Sequence, residues 1–369
     1  MTAVDNAVRR VPPPSADPFY APVSTAAPPG TVLRVRAVTI ATRVACLAQQ
    51  VVYASTDTLG RATAMSGTVL VPEPRWPGRP PALVSFGVGV HGLARDAAPS
   101  HQLVAGTEVE LPLIEAALAR GWAVAVADGE GLGMPGPHTY GAGRAGGHAM
   151  LDIARAAMRS TPGLHRATPL ALWGYSEGGR CATWGAELAS TYAPELPLVA
   201  LAAGGVPTDL YVVARTIDDG PFAGLNLAVL VGLARAHERP ELLEILTERG
   251  LRAARRAENL DVIGLVLGCR RPLATLTVRA QPWDDPHWRD LLERERAGRG
   301  LPRVPVYLYH ADQDGIVPPH LGRDLARSYR DRGADVTAVE VEAPDHLSGA
   351  HLGAAGALRW LARYLPGRE

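Results

Sequence analysis

The distribution of apolar positions changes rhythm twice along the chain. From about Asp17 to Pro81, short strand-like runs (TVLRVRAVTI, QQVVYAST, AMSGTVLVP) are separated by Gly, Pro and Asp, the residues that punctuate strands. After that, ALVSF (82–86), WAVAVAD (122–128) and PLALWGY (169–175) are apolar without alternation, as strands buried on both faces must be. Between and after them, LPLIEAALARG (111–121), GGHAMLDIARAAMRS (146–160) and EGGRCATWGAELASTY (177–192) carry helical patterning. Buried strands separated by amphipathic helices predict βαβ units and a mostly parallel sheet with helices on both faces.

Residues 221–300 interrupt this order. LAVLVGLARAH, ELLEILTERGLRAARRA and WRDLLERERAG read as helices, with little strand signal between them. Strand rhythm returns in VPVYLYH (304–310) and ADVTAVEVEA (334–343), with a helix at 320–332 and a closing helix ALRWLARYL (357–365). The expected organisation is a flexible arm over 1–16, where Pro12-Pro13-Pro14 falls, an α/β core formed by 17–220 and 301–369, and a mostly helical cap at 221–300. No internal repeat is visible.

The chemistry begins at Gly174-Tyr175-Ser176-Glu177-Gly178, a G-x-S-x-G between a predicted strand and a predicted helix. So sharp a turn strains its central residue, and flanking glycines let strand and helix approach closely. The serine then projects above the sheet at a helix N-terminus, which favours developing negative charge. Ser176 is the expected nucleophile.

A serine hydroxyl needs a base and an orienting carboxylate, which in this setting follow in the order Ser, acid, His. After VPVYLYH comes Ala311-Asp312-Gln313-Asp314-Gly315-Ile316-Val317-Pro318, a turn at a strand end that offers two acids. Asp314 is preferred and Asp312 is the alternative. Pro344-Asp345-His346-Leu347-Ser348 follows the last strand and supplies His346 as the base on a loop, with His351 as the alternative.

The oxyanion donors are expected from the backbone of Glu177 and from the loop Gly87-Val88-Gly89-Val90-His91-Gly92, at Val90 and His91. That loop also spells G-x-G-x-x-G, as does Gly141-Ala142-Gly143-Arg144-Ala145-Gly146. Neither completes the strand, loop, helix and acid of a dinucleotide site, since Pro99 should break a helix after the first and no strand directly precedes the second. The remaining histidines lack metal-ligand spacing, so no cofactor and no metal are expected. Trp283 and Trp288, beside prolines, either line a channel or pin a loop. Arg252, Arg255 and Arg256 read as a solvated helix face.

Composition narrows the class further. Lys plus Arg and Asp plus Glu number 37 each, so no global charge points to nucleic acid or an anionic membrane. Apolar runs such as GLNLAVLVGLA (224–234) are too short to span a bilayer, so no integral membrane partner is expected. Cys46, Cys181 and Cys269 are few and odd in number, and the first residues lack the apolar stretch of a secretory signal. Both features predict a cytoplasmic protein. Oligomeric state is left open.

Several segments together resemble the secretory lipase family of fungi and actinobacteria, the group related to yeast lipase A. They are DPFY (17–20), LVSF followed by APS (98–100), DGEGLG (128–133) with LDIARAA (151–157), GYSEGG (174–179), GGVPTDL (204–210), GPFAG (220–224), HADQDGIVP (310–318) and DHLS (345–348). The resemblance implies an α/β-hydrolase fold with Ser176, Asp314 and His346 as nucleophile, acid and base. It also implies a cap after GPFAG that shapes an acyl tunnel, with acyl transfer able to compete with hydrolysis. The chain departs from the family where Ala97 stands in place of a cysteine before the APS segment, where Cys269 lacks its partner, and where His91 occupies the oxyanion loop.

The expected activity is hydrolysis of a small, mainly apolar carboxylic ester through an acyl-enzyme on Ser176. Two alternatives remain at this level: acyl transfer, thioester cleavage or lactone formation through the same acyl-enzyme, and a non-catalytic ligand-binding protein on the same fold.

Overall fold

The computed structural model describes residues 11–73, 82–279, 283 and 285–367. Their strands are β1 (Val32–Val38), β2 (Cys46–Thr56), β3 (Ala62–Pro72), β4 (Leu83–Gly87), β5 (Ala123–Ala127), β6 (Leu170–Tyr175), β7 (Leu198–Gly204), β8 (Val306–Ala311) and β9 (Val336–Val341). They form one sheet in the order β1-β2-β3-β5-β4-β6-β7-β8-β9. The first three strands and β5 pair antiparallel, and every pairing from β5 through β9 is parallel. The mostly parallel sheet agrees with the expectation from unalternating apolar runs.

The helices are α1 (Pro99–Ala105), α2 (Leu111–Ala119), α3 (Gly143–Ser160), α4 (Glu177–Tyr192), α5 (Leu210–Ile217), α6 (Gly224–Ala236), α7 (Glu248–Ala257), α8 (Val262–Gly268), α9 (Pro286–Arg294), α10 (Pro319–Asp331) and α11 (His346–Leu361). Alternate residues of the central strands face opposite layers. Leu83, Leu170, Leu172 and Leu308 pack with α3, α4 and α10, whereas Val84, Phe86, Trp173 and Tyr309 pack with α1, α2 and α11. Both faces are therefore covered, which is why β4, β5, β6 and β8 are wholly buried.

A separate apolar cluster joins α5 through α9 with Leu93 and the turn at Ala142 and Ala145. Within it, Trp288 is fully buried and donates its indole N–H to Leu242 O at 2.9 Å, while Trp283 packs edge-on against it. These tryptophans pin the helical segments together; Gln281, Pro282 and Asp284 beside them lie outside the described residues. Near the start of the chain, Ser15 N and Oγ donate to Asp96 at 2.7 and 2.6 Å, so the chain is anchored two residues before Asp17.

Four local readings are corrected by the structure. The run Leu198–Gly204, not anticipated as a strand, forms β7 beside β6, because an Ala-rich apolar run favours neither period. Pro99 does not break a helix; it occupies the first turn of α1, where a missing N–H costs nothing. The closing helix begins eleven residues earlier than its apolar pattern indicates, at His346, because Gly349 and Gly353 lie against Tyr175 and Tyr309 and hide the periodicity. The stretch 241–257 divides into a 3-10 turn (Pro240–Ile245) and α7, with Thr247 accepting from Gly250 N at the break.

Candidate active site

Ser176 sits between β6 and α4 with φ 55° and ψ −124°, and only one other non-glycine among the described residues has positive φ. A conformation of this kind costs about 1–3 kcal/mol and persists only where its surroundings enforce it. Here Ser176 N donates to Gly204 O and Ser176 O accepts from Arg180 N, each at 2.9 Å. The glycines make the turn possible by contact: a Cβ on Gly178 would lie 1.9 Å from Gly87 O.

Three of the predicted site residues meet. Ser176 Oγ lies 2.8 Å from His346 Nε2, and His346 Nδ1 lies 2.5 Å from Asp314 Oδ2. Asp314 is positioned by its own turn, since its Oδ1 accepts from Ile316 N and Val317 N at 2.9 and 2.8 Å. His310 Nε2 adds a further contact at 3.2 Å to Oδ2 while donating to Val317 O at 2.8 Å. Burial alone would raise the Asp314 carboxyl, but hydrogen bonds from His310 and His346 outweigh it and hold the group well below the usual range. Asp314 is thus a carboxylate wherever the protein is folded near neutrality.

The two alternatives are elsewhere. Asp312 is exposed and accepts from Ala343 N at 3.0 Å, bridging β8 to the end of β9. His351 is exposed on the second turn of α11, at the rim of the cleft into which Ser176 opens. His346 itself is the first residue of α11 rather than a loop residue, with Asp345 capping the helix through Ser348 N at 2.7 Å. The Tyr175 ring packs 5.0 Å from its imidazole.

The loop carrying Val90 and His91 is fastened at several points. Gly89 N donates to Glu110 Oε2 at 2.5 Å, and His91 O accepts from Val262 N at 2.9 Å. The buried His91 ring bonds Gly89 O through Nδ1 at 2.9 Å and Glu108 Oε2 through Nε2 at 2.8 Å. Burial would depress this imidazole, but the Glu108 carboxylate more than compensates and lifts it to about 9. Glu110 is instead pushed up to about 7 by burial and by the neighbouring Glu108 charge. Sequence reasoning missed Glu108, Glu110 and His310, because nothing local distinguishes a buried acid from an exposed one.

The glycines of 141–146 serve helix packing. Cβ atoms on Gly143 and Gly146 would strike the Trp184 indole at 2.0 Å and Cys181 Sγ at 2.5 Å, so they let α3 approach α4.

Ser176 and His346 open into a cleft of about 500 Å³. Its walls include Leu113, Leu210, Val213, Ile217, Phe222 and Val229. Ile263, Leu267 and Leu347 line it while remaining more than 60% exposed, so its mouth is apolar. Among the described residues no helix is long and apolar enough to cross a membrane.

A mostly parallel mixed sheet bearing a serine on a strained strand-to-helix turn defines an α/β-hydrolase of the lipase and esterase type. The chain belongs to the secretory lipase family, whose model matches residues 98–369. It is 32% identical to a probable inactive lipase of Mycobacterium tuberculosis, over 96% of this chain and 83% of that protein. It is 28% identical to the trichothecene C-3 esterase of Fusarium sporotrichioides, over 95% of this chain and 83% of that one. In structure it is similar to Candida antarctica lipase A in its closed state, with a TM-score of 0.87, 26% identity, and 96% and 86% of the two chains covered.

Membership corrects the cytoplasmic expectation. The family is a secretory one, with fungal lipases among its relatives, and it points outside the cell. Cysteine usage misled because a core of this size does not depend on disulfides, so three free thiols carry little information about compartment.

Proposed function

We propose that the protein cleaves carboxylic esters through an acyl-enzyme on Ser176. The observation that carries this reading is the hydrogen-bonded chain from Ser176 through His346 to Asp314. Ser176 Oγ attacks the ester carbonyl as His346 Nε2 takes its proton. Asp314 holds the imidazole by its Nδ1–H and stabilises the cation that forms. Collapse of the tetrahedral intermediate breaks the bond to the leaving alcohol, which takes the proton from His346. Water, deprotonated by the same nitrogen, then releases the acid.

The oxyanion would be met by the N–H of Glu177 and an N–H from Val90 or His91. Gly89 N is engaged by Glu110, which leaves the next amides of the loop for the substrate oxygen. The His91 ring, with both nitrogens bonded, fixes the loop. The helices of 221–300 act as a cap, and the apolar cleft suits a small, mainly apolar acyl or alcohol portion. We keep a non-catalytic reading as the second, because one relative is described as probably inactive; the intact hydrogen-bonded chain favours turnover.

Hydrolysis of p-nitrophenyl esters from short to long acyl chains, with the wild type beside Ser176→Ala, tests the reading. Activity that disappears in the variant, together with labelling of Ser176 by a serine-directed phosphonate, is expected. A wild type that neither turns over any ester nor takes the label would establish the non-catalytic alternative. Added alcohols in the same assay read acyl transfer.

A further inference from the structure

The cleft wall contributed by α5, α6 and α8 is apolar with one exception, Asn226 on α6. Asn226 is 2% exposed, and its amide is oriented by its surroundings. Nδ2 donates to Ala214 O at 2.9 Å and to Asp218 Oδ1 at 2.8 Å, which uses both of its protons. Asp218 Oδ1 is in turn anchored by Leu273 N at 2.9 Å, so the amide cannot flip without losing two acceptors. Oδ1 is therefore the remaining polar atom. No described residue donates to it, and it is not among the buried polar atoms sealed away without a partner. Asn226 lines the cleft, so Oδ1 is the acceptor that this wall can offer a ligand.

An amide oxygen in an apolar wall is unfavourable unless something donates to it. We propose that Asn226 Oδ1 accepts a hydrogen bond from a hydroxyl carried by the otherwise apolar part of the substrate, making this protein selective for hydroxylated esters. The inference rests on the ester-hydrolase reading and adds the substrate's chemical class to it. A plain alkyl chain leaves Oδ1 unpaired or holding a trapped water, whereas a hydroxyl at the matching depth replaces that water with a direct bond. At any other depth the same hydroxyl is buried against Leu, Val and Ile side chains without a partner.

The test is a positional scan. Esters with one hydroxyl at successive positions of the acyl chain, and a second series with it on the alcohol portion, are compared with their plain counterparts. A hydroxyl at one position should retain or raise kcat/KM, while neighbouring positions lose about tenfold, the scale of one buried hydrogen bond. The series in which this happens identifies the portion that occupies the cleft. In Asn226→Leu the ratio of that hydroxylated ester to its plain partner should fall by about tenfold. A merely structural role would lower both esters together and leave the ratio unmoved.

If Asn226→Leu does not fold, calorimetric binding of free acids and alcohols with and without the hydroxyl, to the wild type, decides in the same way. Equal loss at every position, or a preference untouched in the variant, overturns the proposal. Failure to hydrolyse even the plain esters would instead overturn the hydrolase reading, and the calorimetric comparison would still report on Asn226.

Discussion

His346 Nε2 stands 2.8 Å from Ser176 Oγ although 170 residues of chain separate them. The serine is fixed by the turn from β6 into α4, and the histidine by the first turn of α11. Two helix N-termini are thus brought together over the end of one sheet. The predicted chemistry depends on this approach.

The choice between paired candidates gives the sharpest expectation. Asp314→Asn should lower kcat on a p-nitrophenyl ester by about 10⁴-fold, because the imidazole loses the partner that fixes its tautomer. Asp312→Asn should leave kcat within about twofold, as exposed substitutions away from the reacting groups usually do. His346→Ala should abolish turnover and His351→Ala should not. A large loss in Asp312→Asn or His351→Ala, with Asp314→Asn or His346→Ala active, would reverse the assignment.

Stability should fall as pH rises through neutrality. Glu110 is raised in the folded protein to about 7, so the folded state holds its proton more tightly and loses stability between about 4.5 and 7. His91, raised to about 9, contributes stability that is complete below about 6.5 and is lost as pH climbs through 9. Both groups act in the same sense. Thermal melts from pH 6.5 to 9.5, above the range in which the depressed His138 and His148 act in the opposite sense, should show a declining Tm, and His91→Gln should flatten the upper part of the decline. An unchanged slope in the variant would place the titration elsewhere.

Gly178→Ala should fail at the level of folding. Its Cβ would lie 1.9 Å from Gly87 O, and both partners are backbone, so neither can rotate away. The expected cost exceeds about 3 kcal/mol, at or beyond the usual overpacking range, read as a drop in the urea midpoint. A stable variant would mean that β4 and α4 can separate.

Filling the cleft should shorten the preferred chain. Ala214 lines it and is 4% exposed. Ala214→Phe should reduce kcat/KM for long-chain esters by about tenfold or more relative to short ones, a pocket effect of one or two methylenes' worth. A uniform loss across the series would argue that the chain lies along another wall.

Much of the core was legible because its signals are local. Buried runs such as Leu170–Tyr175 cannot alternate, and a glycine-flanked serine between strand and helix has few other uses. Legibility failed where one position serves two neighbours. Gly349 and Gly353 dilute the pattern of α11 because Tyr175 and Tyr309 fill the space where side chains would stand. The resemblance segments DPFY, APS and DGEG look unrelated along the chain. In the fold, Tyr20 and Ser100 hydroxyls lie 2.8 Å apart, and Ser100 Oγ donates to Asp128 at 2.6 Å.

The sequence by itself determined the alternation of buried strands and helices through most of the core, the serine at the strand-to-helix turn and the short lists of candidate acids and histidines. These follow from patterns within a dozen residues, where backbone geometry and apolar period act directly. Only the tertiary structure decided which members of those lists meet, that Glu108 and Glu110 clasp the loop at Gly89 and His91, and that Asn226 lines the cleft with its amide protons bonded to Ala214 and Asp218. Burial and hydrogen-bond partnership are properties of the packed chain, and they arise between residues whose separation along the sequence carries no signal.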